Sequence, residues 1–382
     1  MEFNLITKKL NGTLTEKEQT IFNEWFAESE AHRVYFAQVQ QNYIKGLDLD
    51  RVDVQKGWEK ISSKIRKKRH TGYFWKYAAA IAAFVLLGGV ALYDQKDAEP
   101  DAIIAPVTEA ASIQIGTDKA TLTLEDGSQV ALEKGTSYET EKVSSNGEEL
   151  VYKAESGLEN KSIAQNILTI PRGGQFFIAL ADGTRVWLNS ESQLRYPVAF
   201  SGEGPRTVEL LYGEAYFEVS PAAENRGAHF LVKTRGQEVD VLGTEFNVKA
   251  YKEDAFVATT LVEGKVMVRK GANFKNLSPG LQSRWQDTGK EINVVKVDVY
   301  NETSWKNGFF SFENKSLEDI MDVLSRWYDA DVVYKDEDIK QMTFNGVFRK
   351  SQPLDEILTT IESTNEVIYT MNQKTITMEK NR

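Results

Sequence analysis

The sequence predicts a multidomain protein with four parts: a small N-terminal all-α unit, one transmembrane helix, an all-β domain, and a small C-terminal α+β domain with repeated β-α-β units. The all-β domain is expected to consist of stacked hairpins in a solenoid- or sandwich-like form. Three observations lead to this fold class. Apolar residues recur at helical spacing before an uncharged apolar run, they alternate with a period of two after it, and helical spacing returns near the C-terminus.

The N-terminal unit is assigned to residues 1–70. Thr15 and Glu18 form a capping-box pattern, which predicts that a helix begins beside Thr15. This helix and two further amphipathic helices would enclose only a thin core, so part of the aromatic surface is expected to contact a partner. Packing inside the bundle is the equal alternative for each tryptophan. The candidate contact residues are Ile21, Phe22, Trp25, Phe26 and Trp58.

The predicted transmembrane helix covers residues 73–93, and its centre is the uncharged run Tyr77–Tyr93. This run spans about 26 Å as a helix, and the aromatic residues before it extend it toward the thickness of a bilayer. Basic residues cluster before the run and acidic residues follow it, which places the N-terminus in the cytoplasm and the larger C-terminal part outside it. The expected lipid-contacting residues are Tyr77, Phe84, Leu87 and Tyr93.

The all-β domain is assigned to residues 112–297, after an acidic linker over residues 94–111. Short alternating runs are separated by turn sequences, which is typical of antiparallel strands. Part of the pattern repeats, because LEDGSQVAL begins at Leu124 and LADGTRVWL begins 56 residues later at Leu180. Each copy predicts a hairpin with an Asp-Gly turn.

The C-terminal domain is assigned to residues 305–382. Two apolar helical patterns begin at Leu317 and Leu354, 37 residues apart, and each is followed by a strand pattern. Sheet edges in such a small domain suit the addition of a strand by a partner. The candidate partner-binding residues are Leu317, Trp327, Phe344 and Phe348.

The composition excludes several kinds of chemistry. The chain has no cysteine and three histidines, which fall in different parts of the predicted topology, so thiol catalysis and a multi-histidine metal site are not expected. A net charge of -10 argues against direct binding of nucleic acid. We therefore expect no cofactor and no metal, and the juxtamembrane basic cluster is expected to touch lipid.

Six blocks of the β region form an ordered pattern: IPRGGQFFIALADGTRVWLNSESQLRYPVAF, RTVELLYGEAYFEV, FLVKT, VDVLGTEFNVKAY, VATTLVEGKVMV and LSPGLQ. The order, spacing and glycine positions of these blocks resemble the FecR family of transmembrane anti-sigma factors, in the form found in Bacteroidota. The segment FSFENKSLEDIMDVLSRWYDADVVY is similar to the final domain of that family, which itself resembles the small signalling domain of outer-membrane transducers. Tyr212 stands where the family usually has a small or polar residue.

The resemblance implies a signalling chain rather than a catalytic activity. A TonB-dependent transporter in the outer membrane would present its periplasmic signalling domain to the C-terminal part of the chain. The N-terminal unit would bind an extracytoplasmic-function sigma factor and so control transcription of uptake genes. A membrane-tethered periplasmic glycan-active enzyme and a structural envelope protein are the alternatives.

The resemblance also draws attention to Gly243 and Thr244, because some family members cleave themselves at a Gly-Thr bond. In that reaction the threonine hydroxyl attacks the preceding carbonyl. The favoured interpretation of these two residues is structural: Gly243 forms a bulge or a tight bend, and Thr244 is an ordinary strand residue.

Overall fold

The computed structural model describes most of the distal region of the chain and part of the N-terminal region. The described residues are 9, 14–28, 33, 36, 113–141, 143–153, 164–200, 204–286, 289, 291–364 and 366–381. Within them, no helix is long and apolar enough to span a bilayer. The predicted transmembrane segment, with Tyr77, Phe84, Leu87 and Tyr93, lies outside the described residues, and so does Trp58.

The described part of the chain is mostly β, with 49% of its residues in strands. The described residues contain four α-helices: α1 Glu16–Glu28, α2 Val299–Thr303, α3 Leu317–Tyr328 and α4 Leu354–Glu362. The first twelve strands are β1 Thr117–Thr123, β2 Gln129–Glu133, β3 Tyr138–Glu139, β4 Val143–Ser145, β5 Glu149–Tyr152, β6 Gln165–Ile170, β7 Gly174–Ala179, β8 Arg185–Leu188, β9 Ser192–Pro197, β10 Arg206–Glu218, β11 Phe230–Thr234 and β12 Gln237–Val241. The others are β13 Glu245–Ala250, β14 Val257–Glu263, β15 Val266–Lys270, β16 Asn273–Leu277, β17 Leu281–Trp285, β18 Asn293–Lys296, β19 Phe309–Ser316, β20 Asp331–Tyr334, β21 Thr343–Arg349, β22 Val367–Asn372 and β23 Thr375–Lys380.

Six strands close into a barrel in the order β1-β6-β9-β10-β8-β7, and the last strand returns to β1 through a parallel pairing. Further strands extend from β10 on both sides. One series is β11, β12, β15 and β16, and the other is β13, β14, β17 and β18. The prediction of stacked hairpins in a solenoid or sandwich is therefore wrong.

The bend in β10 explains the closure. Its first half pairs with β9 and its second half with β8, and the register shifts between Leu210 and Tyr212. Gly213 follows with φ +97°, and a Cβ at this position would overlap Ser192. Because only glycine tolerates both this backbone conformation and this close approach, one long strand can belong to both sides of the barrel.

The two Asp-Gly sequences form the expected hairpins, β1-β2 and β7-β8. In each turn the aspartate side chain accepts a backbone hydrogen bond two residues further on, from Ser128 to Asp126 at 2.9 Å and from Thr184 to Asp182 at 3.0 Å. Because these contacts are local, the sequence alone predicts the turns. The strands that they connect belong to a barrel rather than to the predicted stack of hairpins.

The C-terminal segment contains α3, α4 and two small sheets, β19-β21 and β20-β23-β22. The prediction that it forms a separate α+β domain beside an N-terminal all-α unit is wrong. The described residues between 1 and 42 and between 111 and 382 form one compact unit. The physical reason is that large side chains of this segment, including Trp305 and Trp327, are buried rather than exposed.

Helix α1 begins with the predicted capping box. The Thr15 backbone N–H donates to Glu18 Oε2 at 3.0 Å, and the Glu18 backbone N–H donates to Thr15 Oγ1 at 3.4 Å. The aromatic face of α1 packs against Val347 of β21, with Phe22 and Trp25 buried there. This contact with a distal strand is a second reason why the N-terminal region is not the separate bundle that was predicted.

Candidate functional site

The candidate site is the contact between two parts of the compact unit. We call residues 113–297 the barrel domain, residues 299–381 the C-terminal unit, and their contact the interface. Both parts contribute backbone groups, aromatic rings and charged side chains to it.

The turn between β6 and β7 binds the end of α3. The Gly173 backbone N–H donates to Arg326 O at 2.7 Å, and Gly173 has φ +67°. The Arg172 guanidinium donates to Ser325 O at 3.0 Å and also to Ala330 O. The last carbonyl groups of a helix have no partner within the helix, so this turn supplies donors that α3 lacks.

Arg326 forms the second contact, from α3 back to the barrel domain. Its guanidinium lies 3.9 Å from the ring centroid of Tyr251, and only 9% of the side chain is exposed. Two carboxylates compensate the charge, Asp254 at 3.5 Å and Glu191 at 3.7 Å. The Tyr251 hydroxyl donates to Ser190 O at 3.0 Å, which fixes the ring, and burial raises the pKa of Tyr251 well above its usual value.

Trp327 fills the space beside these groups. Its indole Nε1–H donates to Lys350 O at 2.9 Å, so it also joins α3 to the end of β21. The ring lies on Gly116, where a Cβ would come within 2.6 Å of it. The absence of a side chain at Gly116 therefore permits the close contact between the barrel domain and α3.

A chain of hydrogen bonds connects Trp305 to the barrel. Trp305 Nε1 donates to Asn247 Oδ1 at 3.3 Å, and Asn247 Nδ2 donates to Glu214 Oε1 at 2.9 Å. The other carboxylate oxygen of Glu214 accepts from Asn189 Nδ2 at 2.9 Å. Burial raises the pKa of Glu214. A buried network of this kind is rigid as long as each member keeps its partner.

The predicted partner-binding residues of the C-terminal unit lie in or against its core. Leu317, Trp327 and Phe348 are buried, and Phe344 is partly buried against the same core. Sequence reasoning missed the residues that form the interface, notably Arg172, Arg326 and Lys350. The Pro171–Gly174 stretch was a visible signal, since two adjacent glycines permit close backbone approach.

The predicted sigma-factor contacts lie on α1, where Phe22 and Trp25 are buried while Ile21 and Phe26 are partly buried. The ring of Phe36 packs edge-on against Phe22 with centroids 5.3 Å apart. The structure thus brings four of the five predicted residues together in one hydrophobic cluster.

Gly243 and Thr244 border a cavity of about 360 Å³. Gly243 has φ +150°, and a Cβ there would lie 3.0 Å from Pro221 Cα, so glycine is required on steric grounds. The Thr244 hydroxyl donates to Lys265 O at 3.0 Å. Gly243 thus lies in a tight bend, and Thr244 directly precedes β13 rather than belonging to a strand.

Two family models match the chain: "FecR protein" over residues 166–267 and "FecR, C-terminal" over residues 309–378. Gly173 and Arg326, whose backbones meet at the interface, fall in the first and second match respectively. No curated protein matches the chain.

Two crystal structures of a candidate anti-sigma factor from Parabacteroides distasonis ATCC 8503 are similar to the chain, at 30% identity and a TM-score of 0.51 in each case. The first comparison covers 56% of this chain and 99% of the other, and the second covers 57% and 100%. The likeness therefore includes nearly all of the solved protein.

Proposed function

The chain belongs to the FecR family and has a regulatory role as an anti-sigma factor rather than an enzymatic one; from this premise we propose that it relays a signal across the inner membrane. A TonB-dependent outer-membrane transducer would bind the C-terminal unit in the periplasm. An extracytoplasmic-function sigma factor would bind the N-terminal region in the cytoplasm. The chain would cross the membrane once, at Tyr77–Tyr93.

The observation that supports the proposed relay is the set of contacts at the interface. Gly173, which directly precedes β7, is hydrogen-bonded to the end of α3, and β7 is a strand of the closed barrel. A displacement of α3 by a bound partner therefore has to break or move contacts with the barrel domain. Rigid elements that are joined in this way can transmit a change of state between distant surfaces.

The proposed topology has a consequence for α1. A membrane between α1 and the C-terminal unit would separate Phe22 and Trp25 from Val347 in the same chain. In the membrane-inserted protein the aromatic face of α1 would then be available to the sigma factor. An amphipathic helix that buries aromatic residues in a partner's groove is a common recognition mode.

Topology is tested by thiol labelling, because the chain has no cysteine. Asn23→Cys places a thiol on α1, and Phe274→Cys places one on β16, where 59% of the native side chain is exposed. A membrane-impermeant maleimide added to spheroplasts should label position 274 but not position 23. Equal labelling at both positions would contradict the proposed topology.

Sigma-factor binding is tested with the full chain in membranes. The double variant Phe22→Ala/Trp25→Ala removes the aromatic face of α1, whereas Asn23→Ala changes only an exposed position of the same helix. We expect the sigma factor to co-purify with the wild type and with Asn23→Ala but not with the double variant. Undiminished recovery with the double variant would exclude α1 as the binding surface.

A further inference from the structure

Lys350 is a buried lysine at the centre of the interface. It follows β21 directly, and only 4% of it is exposed. Its ammonium group donates to the amide Oε1 of Gln175 in β7, at 2.7 Å. It also lies 3.7 Å from the ring centroid of Trp327 and 5.8 Å from that of Trp305. The side chain therefore touches β7 of the barrel domain as well as α3 and the turn before β19.

The charge of Lys350 is poorly compensated. Two carboxylates face it from the barrel domain, Asp118 of β1 and Glu214 of β10. Asp118 reaches it through Gln175, whose Nε2 donates to Asp118 Oδ1 at 2.9 Å. Among the residues that the structure describes, no carboxylate oxygen lies within the 4.0 Å of an ion pair with its ammonium group.

Arg326 provides the contrast within the same interface, because it has two carboxylates within 4 Å as well as a tyrosine ring. A buried cation without an ionic partner loses its hydration and regains only part of that free energy from a neutral amide and the aromatic rings. Burial accordingly lowers the pKa of Lys350 to about 7.

We propose that Lys350 keeps the interface metastable: its buried, uncompensated ammonium group favours separation of the C-terminal unit from the barrel domain, so that partner binding can open the interface. This inference rests on the proposed relay and names the residue that regulates it. In the open arrangement the ammonium group would regain water, and the other interface contacts hold the protein closed until a partner binds.

The linkage to pH has a defined sign. An exposed lysine has a pKa near 10.4, which is about 3 units above that of Lys350 in the closed protein. Below a pH of about 7 the ammonium group is charged in both arrangements, so its burial opposes closure to the full extent. As the pH rises from about 7 toward 10, Lys350 loses its proton in the closed arrangement, and closure becomes more favourable. At pH 7 the charge on Lys350 can raise the equilibrium constant for opening of the interface by about a thousandfold at most.

The test is hydrogen exchange of the Gly173 amide in the full chain, because this amide donates across the interface to Arg326 O. In Lys350→Met we expect exchange at least about tenfold slower than in the wild type at pH 7, below the thousandfold limit. The ratio of the wild-type exchange rate to the Lys350→Met exchange rate should decrease several-fold from pH 7 to pH 8. Lys350→Gln, which keeps a donor for Gln175, should also slow exchange.

Lys306→Met is the matched control. Lys306 is also a lysine of the C-terminal unit, packed 3.9 Å from the Trp187 ring centroid, but Glu218 compensates its charge. Its replacement should leave exchange at Gly173 unchanged or make it faster. If Lys350→Met and Lys350→Gln both exchange as fast as the wild type or faster, Lys350 stabilises the interface and the inference is overturned.

A different result would refute the proposed relay without refuting the role of Lys350. If Lys350→Met slows exchange while the transducer's signalling domain still changes sigma-factor binding to the normal extent, the metastable interface is supported and the relay through it is refuted. Loss of that response together with slower exchange supports both.

Discussion

Replacement of Arg326 by alanine should lower stability much more than removal of an exposed cation. The variant removes a guanidinium that is 9% exposed and leaves Asp254 and Glu191 without it. Breaking a buried ion pair costs about 3 to 5 kcal/mol, but the distances of 3.5 and 3.7 Å are long and Glu191 is 38% exposed, so solvent screens part of the loss. The lost contact with the Tyr251 ring adds about 1 kcal/mol.

We therefore expect a loss of about 2 to 3 kcal/mol in the free energy of unfolding, or roughly 4 to 10 °C in Tm for a unit of this size. Differential scanning fluorimetry of the full chain in detergent measures the shift. Lys335→Ala is the control, because its side chain is 58% exposed and pairs with Glu379 on the surface, where a loss below about 1 kcal/mol is expected. Equal shifts for the two variants would refute the assignment of Arg326 to a buried, paired site.

Three further predictions concern the barrel domain. Gly213→Ala should prevent normal folding, since a Cβ would overlap the neighbouring strand. The control Gly227→Ala, at φ +78° with no described atom within 4 Å, should lower the free energy of unfolding by only about 1 kcal/mol. Circular dichroism and thermal melting distinguish the two outcomes. Tyr152→Phe should cost about 1 to 3 kcal/mol in denaturant unfolding, because the buried Asn166 Nδ2 loses its acceptor at 2.7 Å, and an unchanged midpoint would contradict this. The wild-type chain and Thr244→Ala should each give a single full-length band, and two wild-type bands that separate near Thr244 would favour self-cleavage instead.

The sequence predicted the features that depend on neighbouring residues. The capping box at Thr15 and the Asp126 and Asp182 turns involve contacts within three residues, so their patterns are local. Likewise, α3 and α4 begin at the two positions that were marked by the 37-residue spacing, Leu317 and Leu354.

Barrel closure was not predictable in this way. It depends on the parallel pairing of β1 with β7 and on the approach of Gly213 to Ser192, which join residues that are distant in the sequence. A period of two identifies a strand and its buried face, but it does not specify which strand lies beside it.

Sequence patterns were equally unable to predict which elements meet at the candidate site. Helical spacing marked Leu317 as a member of an apolar face, and Trp327 was assigned to partner binding, but spacing alone cannot tell whether a face is covered by the same chain or by a partner. Both residues are buried in the protein itself. Lys350 carried no signal in the sequence, because its unusual environment comes from Gln175 and two tryptophans on separate elements.

The central claim is that a signal passes through the interface, and a reversible covalent lock tests it most directly. A Cβ at Gly173 would lie 3.5 Å from Asp329 Cβ, which is within the range of a disulfide. Because the chain has no cysteine, Gly173→Cys/Asp329→Cys introduces the only two thiols. The single variants control for the substitutions themselves.

The measurement is the change in sigma-factor binding to the full chain in proteoliposomes when the transducer's signalling domain is added to the periplasmic side. If the signal passes through the interface, we expect no response from the oxidised double variant, a restored response after reduction, and a normal response from both single variants. A response of normal size from the oxidised double variant would contradict the claim that the signal passes through the interface.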